Sequence, residues 1–113
     1  IQRHGPKTVI IKRGEYGALM FSSGAIFSAP AYPLEEIFDP TGAGDSFAGG
    51  FIGYIANTGD MSEANLRKAI IFGSVMASFN VEAFSLDRLS NLTFDEIRER
   101  YIEFKRLTHF EDI

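Results

Sequence analysis

Apolar positions come in short runs over the first third of the chain and at helical spacing after that. Thr8-Val9-Ile10-Ile11-Lys12 is a β-branched apolar run bounded by turn residues, which predicts a buried strand. Gly14-Glu15-Tyr16-Gly17 reads as a tight connection, and Ala18-Leu19-Met20-Phe21 as a second strand. Ser22-Ser23-Gly24 reads as a hairpin turn, and Ala25-Ile26-Phe27-Ser28 as a third strand. Pro30 and Pro33 bias their predecessors away from helix, so an extended segment follows. Ile37-Phe38 reads as a short strand leading into a glycine-rich stretch.

Three helices are expected next. The first runs from about Gly44 to Ala56 and stops before Asn57-Thr58-Gly59, with Phe47, Phe51, Tyr54 and Ile55 on its apolar face. Gly49, Gly50 and Gly53 inside it each cost about 1 kcal/mol against alanine, so close packing on another backbone is the expected compensation. The second starts near Asp60, with Glu63 at capping-box spacing, and is apolar nearly all round from Ala69 onward. The third starts at Thr93 with Glu96 three residues on. Phe94, Ile97, Tyr101 and Phe104 form its stripe, and Arg98, Glu99, Arg100, Glu103 and Lys105 face solvent. Strands followed by helices, with a strand-loop-helix unit between them, give the fold class α/β.

Composition narrows the function classes. The chain has 113 residues and a net charge of −4, with no basic stripe, which speaks against nucleic acid. There is no cysteine, so disulfide scaffolds and cysteine metal sites are excluded. His4 and His109 lie near opposite ends and make no metal-ligand spacing. No apolar run approaches the ~20 residues that span a bilayer, and no signal-peptide pattern opens the chain. A cytoplasmic protein that does not bind membranes is the expectation. Ile1 to Lys7 reads as a helix tail and its exit loop, so an upstream part is expected to be missing.

The chemistry gathers in Asp39-Pro40-Thr41-Gly42-Ala43-Gly44-Asp45-Ser46-Phe47-Ala48-Gly49-Gly50. Small residues at a helix start leave N–H groups uncovered at the positive end of the dipole, where anions bind. A Walker loop is excluded because no lysine follows Gly49. A dinucleotide loop fits Gly42 and Gly44 but has Phe47 at its third glycine position. Asp45 would repel a phosphate that was merely held. A site that phosphorylates an alcohol, by contrast, needs both N–H donors for the developing charge and a carboxylate for the hydroxyl proton. From spacing alone, two alternatives stay open: Asp45 as an acid interacting with the helix dipole, and the glycine run as a plain strand-to-helix turn.

The stretch from Asp39 to Ile52 resembles the C-terminal signature of the ribokinase-like (PfkB) family of carbohydrate and nucleoside kinases. Lys12 to Gly17 is similar to that family's nucleotide loop. The resemblance covers nearly the whole chain and implies the C-terminal portion of a three-layer α/β/α fold. Residues 1–113 would be the nucleotide-binding and phosphoryl-transfer part, and the acceptor-binding part and lid would lie elsewhere. It implies ATP-dependent phosphorylation of a hydroxymethyl group on a sugar or nucleoside, with the 113 residues inactive by themselves. Asp45 would be the catalytic base, and Gly42, Ala43 and Gly44 the anion hole. Lys12, Arg13, Gly14, Glu15, Tyr16, Gly17 and Ser74 would contact the nucleotide. Mg2+ would accompany ATP. Asp39 and Thr41 would help hold K+, although the segment Val81 to Ser85 departs from the ribokinase form. A homodimer is a further expectation. The competing readings are a non-catalytic nucleotide- or metabolite-binding regulatory domain and a dinucleotide-binding oxidoreductase.

Overall fold

The computed structural model describes residues 8–13, 17–22, 24–33, 43–82 and 92–113. Three strands, β1 (Thr8–Lys12), β2 (Ala18–Ser22) and β3 (Ala25–Ala29), precede three helices, α1 (Ala43–Thr58), α2 (Glu63–Glu82) and α3 (Phe94–Thr108). The three strands expected between Thr8 and Ser28 and the three expected helices are found, with ends moved by no more than three residues. The expected strand at Ile37-Phe38 and the reading of Ile1 to Lys7 lie outside the described residues.

The sheet is an antiparallel meander in the order β1-β2-β3. Its register puts Ile10 opposite Met20, and Met20 opposite Phe27, so these three share the face turned to α1 and α2. Val9, Ile11, Leu19, Phe21 and Ile26 occupy the other face, where Ile11 is 46% and Ile26 64% exposed. A sheet that is apolar on both faces suits a layer enclosed between two others. Gly17 ends the β1–β2 connection at φ 91°, and a Cβ there would stand 2.0 Å from the Ala29 carbonyl oxygen. Only glycine fits both the conformation and the space. The Arg13 N–H donates to the Gly17 carbonyl at 2.8 Å and closes the connection.

The core between sheet and helices consists of Ala18, Met20, Ala29, Phe47, Leu66 and Ile70, all buried. Gly50 of α1 and Gly73 of α2 meet there. A Cβ on Gly50 would come within 3.1 Å of Gly73 Cα, and one on Gly73 within 2.8 Å of the Phe47 carbonyl oxygen. The close packing expected for the helix glycines is thus found at Gly50. At Gly49 and Gly53 an added Cβ would meet nothing within 4 Å. As its composition predicts, α2 exposes none of residues 69–80.

Three local expectations are corrected. Asp60 does not cap α2. Ser62 does, its Oγ accepting from Asn65 N at 3.3 Å, while Asp60 Oδ1 accepts from Ser62 N at 2.8 Å in the preceding turn. The α3 stripe loses Phe94, which is 72% exposed because it stands at the first helical position, outside the cluster. The polar face of α3 is not wholly solvated. The Arg100 guanidinium carbon lies 3.9 Å from the Phe79 ring centroid and 4.4 Å from that of Tyr32, and its Nη1 donates to Ser78 Oγ at 3.2 Å. The Tyr32 hydroxyl donates to Glu103. Arg100 and Glu103 therefore fasten α3 to the extended segment after β3 and to α2. The capping box of α3 forms as expected, with Glu96 N donating to Thr93 Oγ1 at 3.2 Å and Thr93 N to Glu96 Oε1 at 3.2 Å.

Candidate active site at the junction of β1 and α1

The site is built where β1 ends and α1 begins. Ala43, Gly44 and Asp45 lie in the first turn of α1, where the N–H groups have no carbonyl one turn back to bond. Gly44 and Asp45 are exposed. The exposed Lys12 closes β1, and its Nζ stands 3.3 Å from the point a Cβ on Gly44 would occupy. The same Nζ lies 5.0 Å from the centroid of the Phe47 ring. Phe47 itself is buried against the core.

This convergence has an electrostatic meaning. A helix N-terminus carries roughly half a positive charge, and a lysine ammonium beside it adds a full one. The two repel, so the arrangement favours a ligand of negative charge between them. The face of Phe47 offers the ammonium a seat through its quadrupole, worth about 0.5–1 kcal/mol at an exposed position. The absence of a side chain on Gly44 keeps the approach open. An anion at the helix start would meet N–H donors from α1 and an ammonium from β1, with the Asp45 carboxylate in the same turn.

The structure brings together Lys12, Gly44 and Asp45 among the residues expected to act. Ala43 opens the helix, and Arg13 and Gly17 close the loop that follows Lys12. Gly14, Glu15, Tyr16, Asp39, Thr41 and Gly42 lie outside the described residues. Ser74 stands half-buried on α2, and its hydroxyl donates to the Ile70 carbonyl at 2.9 Å, within its own helix. Among the described residues no group of three or more His, Cys, Asp or Glu side chains is placed to hold a metal ion, and no helix is long and apolar enough to cross a membrane.

Sequence reasoning missed two parts of this site. It read Phe47 as core only, whereas one ring edge packs inward and the ring also supports Lys12. It did not see Gly73, whose bare backbone lets α2 approach Phe47. The signal was present as a pair of glycines, Gly50 and Gly73, on two adjacent helices.

Comparison with known proteins gives this geometry a context. The chain matches the family described as "pfkB family carbohydrate kinase" over residues 1–91. It is 32% identical over 93 residues to a nucleoside kinase of Methanocaldococcus jannaschii, an alignment covering 81% of this chain and 28% of that protein. It is 55% identical over 50 residues to a cytidine kinase of Thermococcus kodakarensis, covering 42% of this chain and 18% of the relative. The crystal structure of the M. jannaschii nucleoside kinase, an archaeal member of the ribokinase family, superposes with a TM-score of 0.67 at 31% identity, over 86% of this chain and 30% of that one. Aminoimidazole riboside kinase from Salmonella enterica, complexed with aminoimidazole riboside and an ATP analog, gives a TM-score of 0.71 at 28% identity, over 85% of this chain and 31% of that one. The chain thus spans less than a third of the length of each of these proteins. The match across residues 1–91 and the shared fold place the chain in the pfkB family of carbohydrate kinases, with the ribokinase-like fold.

Proposed function

We propose that the 113 residues are the C-terminal, phosphoryl-transfer part of a larger kinase that moves the γ-phosphoryl group of ATP to a hydroxymethyl group of a nucleoside or sugar. The observation that carries this reading is Lys12 Nζ beside Gly44 at the first turn of α1, with Asp45 in that same turn. Family membership supports it. So does the kinship to proteins described as a cytidine kinase, a nucleoside kinase and a deoxyribokinase. The ATP analog bound by the S. enterica relative supports ATP as the donor.

In this reading the main-chain N–H groups of Gly42, Ala43 and Gly44 face the transferred group and stabilise the charge spread over its equatorial oxygens. Lys12 steadies the phosphates from the β1 side. Asp45 accepts the proton of the acceptor hydroxyl as its oxygen bonds to the γ-phosphorus. The bond from that phosphorus to the bridging oxygen breaks, and ADP leaves with the electron pair. General-base assistance of this kind contributes ~10²–10⁴ in rate. The loop from Lys12 to Gly17 borders the nucleotide, with Ser74 a further contact through its half-buried hydroxyl. Mg2+ would enter with the nucleotide and neutralise phosphate charge. K+ would be held near Asp39 and Thr41. The acceptor pocket and lid belong to the part of the parent protein beyond these residues, so the 113 residues alone transfer no phosphate. We assign the protein to the cytoplasm, where ATP is abundant, and a homodimer is the proposed assembly.

The test is transfer itself. The parent protein, given γ-labelled ATP and a panel of nucleosides and sugars, should form a phosphate ester on at least one acceptor. Binding of ATP with no transfer to any member of a broad panel would overturn the proposal in favour of a non-catalytic nucleotide-binding domain.

A further inference from the structure

Lys12 and Asp45 bring opposite charges to the same end of α1, yet the proposed transfer gives them different tasks. The ammonium serves the phosphates and the carboxylate serves the acceptor hydroxyl. Unlike charges this near attract, and a lysine seated on Asp45 would serve neither task. Among the described residues no ion pair joins the two. The ammonium stands over the ring of Phe47 instead, 5.0 Å from its centroid.

Helix geometry turns this contact into a separation of charges. Gly44, Phe47 and Phe51 stand at i, i+3 and i+7, on one face of α1. Asp45 is turned about 100° round the axis from Gly44 and is exposed. An ammonium held on the Phe47 ring, 3.3 Å from the point a Cβ on Gly44 would occupy, stays on the Gly44 side.

The ring has little freedom of its own. Phe47 is 5% exposed. One ring edge abuts Gly73 of α2, where an added Cβ would come within 3.1 Å of Cδ2 and 3.3 Å of Cε2. The Phe51 ring lies parallel to it, with 6.4 Å between centroids and 4° between planes. The packing of α1 on α2 therefore sets the orientation of the ring. An exposed lysine otherwise spreads over many rotamers, and a ligand that orders it bears that entropy. A fixed ring beneath the ammonium removes part of this cost before a phosphate arrives.

We infer that Phe47 is a positioning residue, whose ring holds the Lys12 ammonium on the Gly44 side of α1, turned to the phosphates of ATP and apart from Asp45. This rests on the reading of the first turn of α1 as the phosphoryl-transfer site. Phe47 is buried and acts through Lys12.

The experiment changes the ring's charge distribution without changing its place in the core. Phenylalanine bearing one, two and three ring fluorines is placed at position 47 of the intact parent protein. Fluorine draws electron density from the ring face and weakens its hold on a cation. The dissociation constant of ATP, read by calorimetry, should rise stepwise along the series, by about two- to fivefold in all. The same series in a Lys12→Met protein should be flat. A flat series with Lys12 present would overturn the inference. So would an equal rise with and without Lys12, which is the mark of a packing effect. A second readout needs no ligand. In a Phe47→Leu protein, adding Asp45→Asn should shift the Lys12 ε-methylene NMR signals markedly, because the freed ammonium has turned to the carboxylate. With Phe47 in place the same change should shift them little, and equal shifts in both backgrounds would also overturn the inference. Neither readout depends on phosphotransfer. A graded ATP affinity in a protein that transfers no phosphate would leave the role of Phe47 standing and the proposed function fallen. A flat series in an active kinase would do the reverse.

Discussion

At the scale of single residues, the site depends on what is absent from Gly44 as much as on what Lys12 and Asp45 carry. A methyl on Gly44 would crowd the Lys12 ammonium at 3.3 Å, and the tip of a lysine can move aside. Gly44→Ala should therefore change stability by no more than about 0.5 kcal/mol. If the proposed site is right, it should still raise the KM for ATP in the parent protein, because the displaced ammonium and the methyl would both stand where phosphate is proposed to approach. Thermal unfolding and nucleotide kinetics together check this. Gly17 behaves differently. Its φ of 91° and the 2.0 Å approach to the Ala29 carbonyl leave no room to adjust, so Gly17→Ala should destabilise by at least about 1–3 kcal/mol, measured by denaturant titration. Asp45 and the glycine run were legible in the sequence because their chemistry is local: a carboxylate and small residues at a helix start. Lys12 was expected at the nucleotide only by resemblance. Its meeting with Phe47 joins residues 35 positions apart on different elements, and no local pattern encodes it.

At the scale of elements, the α1–α2 turn shows how side chains fix the helix that carries the site. Gly59 at φ 64° ends α1, its N–H donating to the Ile55 carbonyl at 2.8 Å. Asn65, 6% exposed, donates from Nδ2 to Thr58 Oγ1 at 2.7 Å and to the Asp60 carbonyl at 2.8 Å. It ties the end of one helix to the start of the next. Asn65→Ala would leave these acceptors without a donor and should cost about 1–3 kcal/mol, read from the unfolding midpoint. The turn also responds to pH. The backbone N–H of Ser62, helped by the Ser62 hydroxyl, holds the Asp60 carboxyl below its ordinary value, against a small opposing effect of burial. A depressed folded-state pKa means that the stabilisation is present above the usual carboxylate range and is lost as pH falls through the lowered value. NMR titration of Asp60 should show that midpoint below the ordinary one, with the Ser62 amide shift moving alongside. The spacing of Asp60 and Glu63 suggested a capping box, but the residue that caps must stand directly before the first helical residue, and that is Ser62. The strands and the α3 cap were legible because short apolar runs bounded by turn residues and Thr93-Glu96 spacing are local signals. Arg100 and Glu103 were misplaced because the aromatic rings and hydroxyl that hold them come from distant elements.

At the scale of the whole molecule, the described residues form a sheet with two helices on one face and a third helix fastened to α2. Apolar residues remain on the sheet's other face and on the far face of α1. The α/β class followed from the order of strands and helices, and the three-layer form from resemblance; the shared fold with the M. jannaschii and S. enterica kinases bears both out. Which apolar faces stay uncovered among the described residues could not be read from sequence, because an apolar face has the same pattern whether or not another of these elements packs on it. The isolated 113 residues should form no phosphate ester under conditions where the parent protein does. The central claim concerns Asp45, and its most direct test is Asp45→Asn in the parent protein, measured for both ATP binding and turnover. The amide keeps the size and polarity of the side chain but cannot take the hydroxyl proton. ATP should bind with nearly unchanged affinity while kcat falls by ~10²–10⁴. Turnover close to that of the unaltered protein would contradict the assignment of Asp45 as the base.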